Sequence, residues 1–274
     1  MTAQTSSKVT RREDAARRIC NLVPSRDTAR DWSVEVARAA GALAALSALP
    51  ASVDLREDWW SVGDQGRTGS CVGWASAEGV VRFHMVKAER LSKVTMLSPR
   101  YVWMASKETD EATQRPETFV EQGGTSLKAA MDVCRKYGVV TGTLLPFQIE
   151  TLMYAGPENA FYAEATKRRI SAYFNLKRNL GHWKTWLATQ GPVLAGLSVD
   201  RAWDEATATR GVLDEFDPET VRGGHAVAVV GYTAAGRFIL RNSWGTGWGD
   251  RGFAYASPEY VEAAFFGESY GVTV

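Results

Sequence analysis

Apolar residues recur at three- and four-residue steps from Trp74 through Ala77, Val81 and Met85 to Ala88. That period places one stripe along one face of a helix, and it predicts a helix that starts at Cys71 and is buried between other elements. Leu97-Ser98-Pro99 predicts a second helix start, with Ser98 as cap and Pro99 in the first turn. Residues from about Ser126 to Tyr137 read as a third helix, capped by Thr125 or Ser126 and stopped by Gly138. A fourth, around 179–190, ends at Gly191-Pro192. From residue 193 the period changes. Val193–Val199, Ala226–Tyr232 and Phe238–Asn242 are short apolar or alternating runs separated by glycines, which predicts antiparallel sheet. Ser52-Val53-Asp54-Leu55-Arg56 reads as an extended strand leading to Trp59 and Trp60. Helices before about residue 190 and strands after it give an α+β chain with two packed halves.

The first 50 residues are Ala- and Arg-rich and read as a separate helical segment. Helices are expected at about 9–20 and 29–48, broken near Pro24, the second capped by Asp27 or Ser25 and ended by Pro50. Residues 106–122 read as a polar surface loop and 139–165 as irregular. The Ala39–Leu49 run is faintly similar to the apolar part of a signal peptide. It lies far from Met1, behind Glu13, Asp14, Asp27, Asp31 and Glu35, and reads instead as a short alanine-rich helix.

Composition narrows the function classes. A chain of 274 residues with 45% hydrophobic residues and ten Trp can bury a substantial core. A net charge of +1 gives no reason to expect a nucleic-acid or membrane-surface partner. No run reaches the ~18 apolar residues of a transmembrane helix. Three cysteines, Cys20, Cys71 and Cys134, do not make a disulfide framework. That points to a reducing compartment, so a cytoplasmic rather than secreted protein is expected.

The chemistry sits on residues 64–75, where a polar, glycine-rich loop runs into the predicted helix and Cys71 stands on the join. The first helical turn has unpaired N–H groups and the positive end of the dipole, and both favour a thiolate. Gln65 could aim an amide donor at the same spot. Gly223-Gly224-His225 puts a histidine at the start of one strand, and Asn242 ends the next. An antiparallel pair would set His225 and Asn242 side by side. Cysteine, histidine and an orienting amide together are the nucleophile, base and orienter of covalent acyl transfer. Trp244 could shield the Asn–His hydrogen bond from water.

These segments resemble a known family. Gln65 to Ser76 resembles the active-site segment of papain-like cysteine peptidases, and Gly223–Tyr232 their histidine segment, with a Gly-Gly most like cathepsin B. Asn242-Ser243-Trp244-Gly245-Thr246-Gly247-Trp248-Gly249, with Gly252-Phe253, is similar to the asparagine segment. Weaker likenesses lie in Val53–Arg56, Leu97–Pro99, Gly123-Gly124 and Gly191–Val193, so the resemblance covers about 52–274. It implies a papain-like fold: a helical left lobe at about 64–165, a β-rich, barrel-like right lobe at about 166–274 plus 51–63, and a cleft between them. It also implies roles. Cys71 would be the nucleophile, His225 its acid/base partner and Asn242 the orienter. Gln65 and the Cys71 N–H would form the oxyanion hole. Gly123 and Gly124 would pair with an extended substrate, Gly196 and Ala226 would line a wide apolar S2 pocket, and Trp244 would also border the substrate. No cofactor or metal is implied, and the partner would be a protein or peptide substrate.

The departures are specific. Thr68 stands where the family usually has a disulfide cysteine, and Glu121 or Gln122 stands where its partner would be. Val72 replaces the usual Trp after the nucleophile. The C-terminal residues that line S2 in many relatives have no clear counterpart, and the papain-type pro-region motif is not found in residues 1–50. The expected function is a thiol protease, with a zymogen form among the readings. The alternatives are a papain-like acyltransferase or peptide ligase, and a catalytically idle binding module; intact Cys71, His225, Asn242 and Gln65 argue against the last. Residues 1–50 have two readings, a short pro-segment lying in the cleft or a region that docks a partner protein. Cys20 and Cys134 read as inert thiols, His84 as a structural or surface residue, His182 as a helix-surface residue and Trp248 as core.

Overall fold

The computed structural model describes residues 15–44, 46–110, 122–148 and 158–274. A short helix α1 (Val34–Ala39) and strand β1 (Val53–Asp54) precede the long helix that begins at Cys71. That helix is α2 (Cys71–Ser76), a π-helical turn (Ala77–Val81) and α3 (Arg82–Lys87) in one run. Helices α4 (Pro99–Thr109) and α5 (Leu127–Lys136) pack against it, followed by α6 (Glu158–Thr166). Then come β2 (Ala172–Asn175), α7 (Leu180–Thr189), β3 (Val193–Val199), α8 (Arg201–Glu205) and β4 (Val212–Leu213). The chain closes with β5 (Gly223–Tyr232), β6 (Phe238–Arg241), β7 (Phe253–Ala256), α9 (Pro258–Ala264) and β8 (Phe265–Thr273). The caps are those the sequence predicts for two helices. Ser98 accepts from the Tyr101 amide at 3.1 Å and Ser126 from Ala129 at 3.2 Å. No helix among the described residues is long and apolar enough to cross a membrane.

One sheet carries the strands in the order β2-β8-β3-β5-β6-β7-β4, with β1 added to β5. All pairs are antiparallel except β4 with β7. Both faces of the central strands are buried, so the side-chain alternation divides the core in two. Leu194, Ala226, Ala228 and Val230 face the helices of residues 71–136. Val193, Ala195, Leu197, Val227 and Val229 face Trp183, Trp186, Trp203 and Tyr260. The long helix is buried all round from Cys71 to Val86, more fully than its apolar stripe predicts. Its polar exceptions form a network. Glu78 accepts from Arg82 at 2.8 Å and from the Leu97 amide at 2.7 Å, beside the buried Arg241.

The N-terminal segment departs from expectation. Residues 1–14 lie outside the described residues, so the helix expected at about 9–20 is only partly open to comparison; Ala15 and Ala16 are helical, the chain bends at Arg18, and residues 19–25 form neither helix nor strand. It lies on the rest of the molecule, where Leu22 donates to the Gly224 carbonyl at 3.0 Å and Val23 to Thr125 at 3.1 Å. These partners take the backbone groups a helix would use. The helix expected over 29–48 is a 3₁₀ turn at Thr28–Arg30 followed by α1. Gly41, at φ 70°, ends α1, with the Ala42 amide bonded back to Ala37, a glycine C-terminal stop. Neither Asp27 nor Ser25 caps it. The Ser25 hydroxyl accepts from the Lys128 amide at 3.1 Å and its own amide donates to Glu268 at 3.0 Å, so Ser25 fastens the segment to α5 and β8.

Candidate active site

Cys71 is the first residue of α2 and is fully buried. Its helix packs against β5, and the backbone amides of Ala226, Val72 and Cys71 favour its thiolate. His225 precedes Ala226 on that strand, and Asn242 follows β6. The β5–β6 register pairs Ala228 with Arg241, so Asn242 lies one diagonal step from His225. The imidazole Nε2 is 2.7 Å from Asn242 Oδ1, and that oxygen also accepts from the Ser243 amide at 2.7 Å. The other ring nitrogen, Nδ1, is buried and has no hydrogen-bond partner among the described residues.

Burial governs the electrostatics. It pushes the Cys71 thiol up to about 11, against the pull of the three amides. It pushes the His225 imidazole down to about 4, with Asn242 opposing and Arg222 and Arg18 adding to the fall. The helix start alone favours a thiolate, but here desolvation outweighs it. Both shifts act in the same direction, toward a neutral thiol and a neutral imidazole.

The cover is the chain's own residues 15–25. Gln65 is buried, and its Nε2 donates to the Thr68 carbonyl at 2.8 Å and the Ile19 carbonyl at 3.3 Å, while its Oε1 accepts from Ser243 at 2.8 Å. The Ile19 carbonyl thus meets the amide expected to serve the oxyanion. The Cys20 carbonyl lies against the Cα of Gly223, and the Asn21 carbonyl against that of Gly124, approaches that any side chain would block. The Leu22 side chain enters the space above Gly196, within the core cluster that holds Ala226. Phe266 of β8 closes the same space against Gly196 and Gly224, so the wide pocket expected there is filled. Gly123 faces inward instead, its carbonyl accepting from Trp103 Nε1 at 2.7 Å. Thr68 holds the loop by hydrogen bonds to the Gln65 carbonyl at 2.8 Å and to Ser70 at 2.6 Å. Position 68 therefore supports the loop without a disulfide, and all three cysteines are free.

Besides Phe266, two contributors were not foreseen. Trp203 of α8 stands edge-on to the imidazole at 5.4 Å, and with Trp244 at 5.0 Å from the ring and Trp248 beyond, it forms an apolar wall. Arg222 clamps the cover. It donates to the Arg18 carbonyl at 2.6 Å and the Ala15 carbonyl at 2.8 Å, pairs with Asp204 at 3.0 Å and lies over Trp244. Both residues sit outside any motif, and only tertiary packing brings them here. Cys20, read as inert, lies within 3.4 Å of Arg222, and burial raises its thiol to about 12. His84 and Cys134 are buried in the core.

The profile of the papain family cysteine proteases matches residues 49–264. The chain belongs to that family. Ananain from Ananas comosus is 27% identical over 216 residues, spanning 76% of this chain and 56% of its own length. Cathepsin K from Mus musculus is 29% identical over 213 residues, 75% of this chain and 59% of the relative. The chain thus matches less than two thirds of the length of these family members. Among solved structures, xylellain, a cysteine protease from Xylella fastidiosa, superposes with a TM-score of 0.75 at 23% identity, covering 94% of this chain and 97% of that one. Digestive procathepsin L2 from Tenebrio molitor larval midgut gives 0.70 at 20% identity, covering 96% and 80%. Both likenesses establish the papain fold of the chain.

Proposed function

We propose that the chain is a cysteine peptidase held latent by its own N-terminal segment. The observation that carries the reading is the 2.7 Å bond from His225 Nε2 to Asn242 Oδ1, beside a cysteine at a helix N-terminus. The free Nδ1 would take the Cys71 proton. The thiolate would attack the substrate carbonyl carbon, and the oxyanion would be held by the Cys71 N–H and Gln65 Nε2. His225 would then protonate the leaving amine, and water would hydrolyse the thioester with His225 as base. The tryptophan wall keeps the Asn242–His225 bond dry, which strengthens it.

The direction of the covering segment supports latency. Leu22 lies on the acyl side, above Gly196, and Arg18 on the far side, by Asp64 and Trp244. A substrate would run the other way, with its acyl residues by Gly196 and its leaving amine toward Trp244. The segment therefore fills the cleft with reversed polarity, so no peptide bond of it is aligned for attack. Residues 46–52 beyond it are exposed and open to cleavage by another molecule. The test is to incubate the purified chain and follow both its mass and its hydrolysis of an unstructured peptide. Hydrolysis that grows as the chain is cut near Ala48–Val53, both absent in Cys71→Ala, is the expected result. An intact chain that never hydrolyses peptide would refute the reading.

A further inference from the structure

The covering segment also shows what the leaving-group side of the cleft can hold. An open groove of about 520 Å³ lies there, lined by Val62, Asp64, Thr207, Trp244, Thr246 and Trp248, and Arg18 of the segment reaches into it. The guanidinium meets the Asp64 carboxylate through both of its terminal nitrogens, one of them 3.2 Å from Oδ2. Its Nη1 also donates to the Gly66 carbonyl at 3.0 Å. The carboxylate is held in place from behind, since the Gly66 amide donates to Oδ1 at 2.8 Å. The backbone of Asp64 is bridged to Trp244, and that of Gln65 is bonded to Ser243 at 2.8 Å. Asp64 is thus tied to the same two loops that carry Gln65 and Asn242. Among the described residues Arg18 is its only ion-pair partner. The nearby Arg222 spends its charge on Asp204.

The geometry points to Asp64 as the residue that selects a basic side chain on the leaving-group side of the scissile bond, arginine above lysine. This rests on the peptidase reading. Arg18 is two residues from Cys20, which lies against Gly223 beside His225. Two residues span at most about 7 Å. A substrate running the opposite way would place its first or second residue after the scissile bond over Asp64. A carboxylate fixed by a backbone amide, next to the Gly66 carbonyl, suits the forked donors of arginine better than the point charge of lysine. The Asp64 side chain is 50% exposed, so the preference is modest, about five- to tenfold in kcat/KM.

The test uses the full chain after its activity has developed, with matched peptides that differ only in carrying Arg, Lys, Gln or Glu at those two positions. The expected order at one of the positions is Arg, Lys, Gln, Glu. Asp64→Asn should bring the Arg-to-Gln ratio close to one, and Asp64→Lys should favour Glu. In the wild-type chain the ratio should shrink at about 1 M salt, where the Debye length is near 3 Å. Equal cleavage of all four peptides at both positions would overturn the role of Asp64 while leaving the peptidase reading intact. No cleavage of any peptide would overturn both.

Discussion

His225 Nε2 and Asn242 Oδ1 are 2.7 Å apart inside a tryptophan wall, and this contact fixes which imidazole nitrogen is left for Cys71. Replacing Asn242 with Ala removes the acceptor and frees the ring to turn. Loss of a buried hydrogen bond of this kind is worth about 1–3 kcal/mol. Asn242→Ala should therefore lower kcat by about ten- to hundredfold with a smaller change in KM, measured on one peptide after activation.

Gln65 donates to the Ile19 carbonyl in the covered state, which marks where its amide would meet an oxyanion. Gln65→Ala should cost about 10²–10³ in kcat, the usual loss for one such donor. A change in KM alone would argue against this role.

The cover can be loosened. Leu22 is 4% exposed above Gly196, and Arg222 holds two carbonyls of the segment. Leu22→Ala removes about 2–5 kcal/mol of packing. Cys71 in Leu22→Ala should react with iodoacetamide at least tenfold faster than in the wild type at neutral pH, and Arg222→Ala should act in the same direction. Peptide mapping of the adduct checks that Cys71 is the labelled thiol.

Burial pushes both His225 and His84 from 6.5 to about 4. Between these values the unfolded chain binds more protons, so folding stability is full above about 6.5 and is lost as pH falls toward 4. Each histidine contributes about 3 kcal/mol over that window. Glu78 and Glu268 are pushed up by burial and act the opposite way, so one histidine is best isolated by difference. Between about pH 7 and pH 4 the wild type should lose about 3 kcal/mol more than His84→Gln in urea unfolding.

Glu78→Ala leaves Arg82 and Arg241 buried without their carboxylate. Breaking a buried pair in this way costs about 3–5 kcal/mol, which a fall in the urea midpoint would record.

Local chemistry made much of this legible in the sequence. Ser98 and Ser126 announce their helices because the cap is a contact within one turn. Val193–Val199 shows as a strand because both faces are buried and the run is apolar but for Gly196 and Ser198. His225 and Asn242 could be paired because two neighbouring strands leave few registers open. The course of residues 18–25 was not legible. Its backbone partners, Gly224 and Thr125, lie more than a hundred residues away, and a short irregular stretch laid on another surface has no period of its own. The same holds for Trp203, Arg222 and Phe266, which reach the site from elements that carry no motif. The helix start favours a thiolate at Cys71, but tertiary burial pushes the thiol the other way, and no local pattern reports burial.

The central claim is that Cys71 is a peptidase nucleophile hidden by the N-terminal segment. Intact mass after treatment with an epoxysuccinyl peptide under reducing conditions tests it most directly. The full chain should carry little adduct at first. After incubation, the form that has lost its N-terminal segment should carry one adduct, on Cys71, and Cys71→Ala should carry none. No adduct at either time, or an adduct on Cys20 or Cys134, would contradict the account.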